Sequence, residues 1–203
     1  EKGCQLNLKR HLRCQKSYRK RGYKTRDRRG QLSKGASIHE RPTLIEQLRR
    51  VGDLEGDTII GKNHKGAALT LVDRVSLHVW IQPMAHRYAL TTAKACIKAI
   101  AHCKPHSITF DNGKEFAAHA HIDAQLQSTT YFARPFASWE RGSNENFNGL
   151  LRQYFPRSRD FMTITREELQ AVEDQLNDRP RKRHSYLTPS ELFFNPDHVA
   201  LQG

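Results

Sequence analysis

The chain has 203 residues, with 34 Lys/Arg against 21 Asp/Glu and a formal net charge of +13. This length suits one sizeable domain with an extension, and no apolar run approaches the roughly 18 residues that a spanning helix needs. The basic N-terminus lacks the apolar stretch of a secretory signal. The four cysteines form no CxxC pair, which fits free thiols, and Cys4, His11 and Cys14 match no common zinc spacing.

Charge is distributed unevenly. Residues 1–50 hold 16 Lys/Arg and 4 Asp/Glu, whereas residues 51–203 hold 18 and 17. A basic arm or linker over 1–50 therefore precedes a near-neutral body over 51–203. The densest stretch, KSYRKRGYKTRDRR at 16–29, includes Arg19, Lys20 and Arg21. Like charges this close repel unless phosphates neutralise them, which points to nucleic acid. Tyr18 and Tyr23 are candidates to stack on bases. GQLSKGAS at 30–37 reads as a loop, and 40–50 as a short helix entering the body.

The body opens with strand-like segments at Leu54–Ile60, Ala68–Val72 and Leu77–Ile81, close enough to form an antiparallel meander. Gly61–Gly66 supplies a turn. Apolar spacing then changes to that of a helix across 89–103, ended by Lys104–Pro105. Ser107–Phe110 is a short strand that delivers Asp111, and Asn112–Gly113 turns the chain. A helix is predicted over 114–126, a strand at Thr129–Phe132 and a helix over 143–155. Thr165 and Glu168 form a capping-box pattern before Leu169, Val172 and Leu176, and Arg179–Pro180 closes that helix. The order of elements predicts an α/β domain with a mixed sheet.

Three acidic residues stand in distinctive settings: Asp57 in GDLEGDTIIG, Asp111 in ITFDNGKEF and Glu145 in SWERGSNENFNG. Carboxylates are the hard oxygen ligands that Mg²⁺ takes. Ions held roughly 3.5–4 Å apart can activate the attacking oxygen and stabilise the leaving one in phosphodiester chemistry. Asp57 lies in the first strand and Asp111 at the end of a later one, so adjacent strands would set them side by side. Glu145, on a helix packed across the sheet, would complete the set. Spacing alone does not select this triple. Glu115 and Glu140 are rivals to Glu145, and Glu55 shares a strand face with Asp57.

Asp57, Asp111 and Glu145, with 33 residues between the second and third, resemble the DDE triad of transposases and retroviral integrases. The strings GDLEGDTIIGKNHKGAALTLVDR, ITFDNGKEF, PFASWERGSNENFNGLLRQYFP and NDRPRKRHSYLTPSELFF are similar, in order and spacing, to bacterial insertion-sequence transposases of the "insertion sequence thirty" family. The resemblance covers residues from about 40 to 203 and implies a ribonuclease H-like fold, a mixed five-stranded sheet flanked by helices behind the basic arm. It implies metal-dependent DNA cleavage and strand transfer, with two Mg²⁺ or Mn²⁺ ions held by Asp57, Asp111 and Glu145. Its implied partners are double-stranded DNA, as element ends and target, and further copies of the chain assembled on it, with no membrane. Its implied location is the bacterial cytoplasm beside the nucleoid.

Flanking residues extend the likeness. Family members carry an Arg four residues before the Glu and a basic residue seven after it, here Arg141 and Arg152. Two positions depart from the pattern: Ser138 stands where a Tyr is usual, and Arg152 where a Lys is usual. Arg keeps the charge with a different fork geometry. Other candidate DNA contacts are Lys62, Lys65, Lys114, Arg181 and Lys182, besides Arg19, Lys20 and Arg21. The stretch 9–29 resembles the segment that follows the family's helix-turn-helix, and no convincing helix-turn-helix precedes it, so the expectation is a catalytic core without that domain. Two other functions fit the residues less well: a catalytically inactive DNA-binding remnant, and a ribonuclease H-like nuclease acting on RNA–DNA hybrids.

Overall fold

The computed structural model describes residues 35–134 and 142–195. Arg19, Lys20 and Arg21 in the arm, and Ser138, Glu140 and Arg141 before the helix that carries Glu145, lie outside the described residues.

Strands β1 (Ala36–Ser37), β2 (Asp53–Ile60), β3 (Ala67–Asp73), β4 (Val79–Met84), β5 (Ser107–Phe110) and β6 (Thr129–Phe132) form one sheet in the order β1-β6-β5-β2-β3-β4. β2, β3 and β4 make the expected antiparallel meander. β3 is buried along its whole length, and its run AALTLV lacks alternation because both faces are covered. The chain leaves the meander through α2 (Ala89–Ile100) and crosses again through α3 (His119–Leu126), so β5 runs parallel to β2 and β6 parallel to β5. The helices α4 (Gly142–Tyr154), α5 (Arg166–Asn177) and α6 (Pro189–Phe194) follow.

The sheet has six strands rather than the expected five. The extra one, β1, pairs with β6 in a stretch that reads as a loop, since two residues carry no alternation to reveal them. Upstream of the body, Ile38 and Ile45 are buried, the latter in α1 (Thr43–Glu46). Two other elements also differ from expectation. Leu77 has φ of 63° in the turn after β3, so β4 begins at Val79 rather than at Leu77. The helix expected over 114–126 is split into a 3₁₀ turn, Lys114–Phe116, and α3.

Two apolar clusters sandwich the sheet. Leu54, Leu69, Leu71, Ile108 and Phe110 face Ala93, Cys96 and Ile100 of α2 and Ile122 of α3. Ile59, Ala68, Val72 and Ile81 face Phe147 and Leu151 of α4 and Leu169 and Leu176 of α5. Alternation along β2 then assigns Glu55 and Asp57 to the α4 face with Ile59. Burial pushes the Cys103 thiol up to about 11 and raises that of Cys96 further, as suits inert core thiols. Among the described residues no helix is long and apolar enough to cross a membrane.

Candidate active-site groove

The site begins with the parallel pairing of β2 and β5. Leu54 lies opposite Ile108 and Glu55 opposite Thr109. The pairing ends there and β5 ends at Phe110; extending the same register by two residues would set Asp111, just past β5, beside Asp57. Alternation puts Asp57 on the α4 face. The Asp57 carboxylate is held at both oxygens: Oδ1 accepts from the Thr58 N–H at 2.8 Å, and Oδ2 from the Asn148 side-chain amide at 2.9 Å. Asp111 Oδ1 accepts from the Gly113 N–H at 2.9 Å.

α4 carries the third acid. Asn144, Phe147 and Leu151 make its buried stripe, at the spacing that turns one helix face inward. Asn148 is bonded to the sheet twice, to Asp57 and to the Thr70 hydroxyl at 3.0 Å. Glu145 lies three residues before Asn148 and therefore one turn above it on the same side. Glu145 is exposed, and with Asp57 it lines a groove of about 1140 Å³.

Lys62, His64, Arg152 and Arg157 line the same groove. Asp57 and Glu145 thus face an open channel with cationic walls, a composition suited to a phosphodiester backbone. Glu145 and Arg152 share this groove as their seven-residue separation predicts. Arg152 also supports the fold: its Nη2 donates to the Ile60 carbonyl at 2.9 Å, and its guanidinium lies 5.4 Å from the Phe161 ring centre. Burial, then the nearby Arg157 charge, lowers its pKa.

The other expected contacts are placed less uniformly. Lys65 and Lys114 are exposed but are not among the residues lining the groove. Arg181 is half-buried and donates to the Leu176 carbonyl at 3.2 Å, closing the end of α5, while neighbouring Lys182 is exposed. Asp111 does not line the groove either. Among the described residues, no three His, Cys, Asp or Glu side chains gather closely enough to hold a metal ion together. The expected triad is therefore two carboxylates on one groove and a third on the adjoining strand end, with Asp57 and Asp111 bonded to protein N–H groups. The donor chemistry suits Mg²⁺ or Mn²⁺: all three side chains offer hard oxygens, and none is fully buried.

Sequence reasoning missed Arg157 and Arg87. Arg157 follows α4 in a turn where no periodicity marks it. Arg87 Nη1 donates to Glu115 Oε1 at 2.8 Å, and the Thr58 hydroxyl donates to the same oxygen at 3.1 Å. Glu115, a rival for the third acid, is thus tied to the residue beside Asp57, with Arg87 as its counter-charge.

The strand order and helix placement define a ribonuclease H-like fold. The catalytic core domain of BIV integrase superposes with a TM-score of 0.56 at 19% identity, covering 74% of this chain and 98% of that one. No protein-family model matches the chain. Its sequence is 49% identical over 189 residues to the transposase for insertion sequence element IS4351 of Bacteroides fragilis, covering 92% of this chain and 58% of the relative. It is 36% identical over 193 residues to transposase InsI for insertion sequence element IS30A of Escherichia coli K12, covering 92% and 50%. Over most of its length the chain is thus similar to insertion-sequence transposases. It spans between 50% and 58% of the length of these two relatives.

Proposed function

We propose that the chain is the catalytic region of a DNA transposase, which cleaves a DNA strand and joins the freed end to a new phosphodiester. The carrying observation is the shared groove of Asp57 and Glu145, fixed by the Asn148 bond to Asp57 and walled by Lys62, Arg152 and Arg157. Asp57, Asp111 and Glu145 are the residues that would hold divalent metal. Bound Mg²⁺ or Mn²⁺, as a pair of ions, would supply Lewis acidity to the attacking and leaving oxygens.

The remaining work belongs to the chain's own residues. The Asn148 amide and the Thr58 N–H fix the orientation of the Asp57 carboxylate, and the Gly113 N–H that of Asp111. Lys62 and Arg157 bind backbone phosphates and hold the strand in line with the acids, so positioning and electrostatics carry the chemistry. The basic arm, through Arg19, Lys20 and Arg21, and Arg141 before α4 add further phosphate contacts. Element ends and target are both double-stranded DNA, bound by several copies of the chain, in the bacterial cytoplasm at the nucleoid.

Replacing Glu145 by Gln keeps its size and removes the ligand charge. Glu145→Gln is expected to abolish Mg²⁺-dependent nicking of duplex DNA while retaining most DNA affinity. Nicking at the wild-type rate by this variant would refute the assignment.

A further inference from the structure

Glu55 is 1% exposed, deep beneath the groove. A buried carboxylate is costly unless it is paired and hydrogen-bonded, and here both oxygens are used. Oε1 accepts from Arg74 Nε at 3.1 Å, and Oε2 accepts from the backbone N–H of Asn144 at 3.0 Å. Asn144 is in the first turn of α4, where N–H groups have no partner within the helix and a negative charge is favourable. The residue after Asn144 is Glu145. The residue two before Asp57, on the same strand face, is Glu55 itself.

Arg74 is fixed in turn. Its Nη1 donates to the Ile45 carbonyl at 2.6 Å, and its Nη2 lies 3.8 Å from Glu46. Glu46 also pairs with Arg41, whose Nη1 donates to the Thr109 hydroxyl at 3.2 Å. The carboxylate that meets α4 is therefore braced by Arg74 in the turn after β3, and through it by α1 and, by way of Glu46 and Arg41, by Thr109 of β5.

We propose that Glu55 is a positioning residue of the catalytic centre. Held by Arg74, it clamps the first turn of α4 to β2 and so sets the separation between Asp57 and Glu145. Asn148 fixes the next turn of the same helix, and the pair of attachments defines both height and rotation of Glu145 over the strand. Glu55 does not itself face the groove, so its role is exerted through α4. This inference rests on the proposed function for its catalytic consequence, whereas the clamp is a statement about α4 alone.

The test compares Glu55→Ala, Glu55→Gln and Leu169→Ala in the full chain. Leu169 is a buried α5 residue, 2% exposed, with no part in the clamp, and controls for general destabilisation. The readouts are melting temperature, hydrogen exchange at the Asn144 amide, Mn²⁺ affinity without DNA, and nicking rate at saturating DNA. Glu55→Ala is expected to speed Asn144 exchange selectively and to weaken Mn²⁺ binding by about tenfold or more, the usual effect of losing an outer support of a metal site. Nicking falls with it, and Leu169→Ala lowers melting temperature without the selective exchange change or the loss of Mn²⁺ affinity. Glu55→Gln keeps the volume and one acceptor oxygen but cannot satisfy Arg74 and Asn144 together, so it gives the same changes in smaller measure. It decides the matter if Glu55→Ala does not fold. Wild-type Asn144 exchange and Mn²⁺ affinity in a folded Glu55 variant would overturn the proposal. If the wild-type chain neither binds Mn²⁺ nor nicks DNA, the functional reading fails, and Asn144 exchange still decides the clamp.

Discussion

Asp57 meets its partners across long stretches of sequence: Asn148 is 91 residues away, and the register that brings Asp111 alongside passes through an entire helical crossover. The identities of the candidate acids are legible in their motifs because each occupies a distinctive local string. Their supports are not, because an Asn148 amide aimed at Asp57 has the same local pattern as one that faces water. Gly113 shows how tightly the Asp111 end is built. A Cβ there would stand 2.6 Å from Glu115 Oε2 and 2.8 Å from Asp111 Oδ1. Gly113→Ala is therefore expected to displace both carboxylates. It should cost less than about 1 kcal/mol of stability by denaturant unfolding, because the atoms met are the ends of flexible side chains and the Gly113 φ of −69° suits Ala. It should also cut nicking far more than that loss explains at a temperature where the variant stays folded. Unchanged nicking would mean that Asp111 tolerates displacement and is not held for catalysis.

Among the elements, β4 is an outer strand of the described sheet, and α5 covers its backbone. Asn177 accepts from the Val79 N–H and donates to the Val79 carbonyl, both at 2.9 Å, and Glu173 Oε2 accepts from the Ile81 N–H at 2.6 Å. These bonds occupy groups that would otherwise recruit another strand. The capping box that starts α5 is legible from Thr165 and Glu168, and both its bonds are present. The side-chain bonds to β4 are not legible, since Glu173 and Asn177 look like ordinary polar positions on an amphipathic helix. Burial raises the Glu173 pKa above its ordinary 4.5, against the lowering effect of the Ile81 bond. Between the ordinary and the raised value the folded state binds more protons than the unfolded one, so this group's contribution to stability falls as pH rises through that interval. Glu173→Gln keeps an acceptor for Ile81 and removes the titration. Its melting temperature, relative to wild type, should be more favourable at neutral pH than at pH 4. A parallel pH dependence in both proteins would show that Glu173 does not titrate differently on folding.

For the whole molecule, charge and chemistry occupy different parts of the chain. Residues 1–34 carry 13 Lys/Arg against 2 Asp/Glu, and the candidate acids all lie beyond them. The charge imbalance was plain from composition, but the limit of the packed region was not. Ala36–Ser37 pairs with β6 and Ile38 is buried, so a truncation that spares the sheet must stop before residue 35. Each phosphate neutralised contributes about −0.9 to the slope of log affinity against log salt. Deleting residues 1–34 is expected to make that slope markedly shallower while metal-dependent nicking persists at high DNA concentration. An unchanged slope in the folded truncation would assign phosphate binding to the groove alone. The central claim, that Asp57, Asp111 and Glu145 form one metal-dependent centre, is tested most directly by the anomalous scattering of crystals grown with Mn²⁺. The account predicts manganese between the Asp57 position of β2 and the end of β5, with oxygens of Asp57, Asp111 and Glu145 all within direct ligand distance, about 2.2 Å. Manganese bound through Glu115 with Glu145 turned to solvent, or no manganese at these carboxylates, would contradict it.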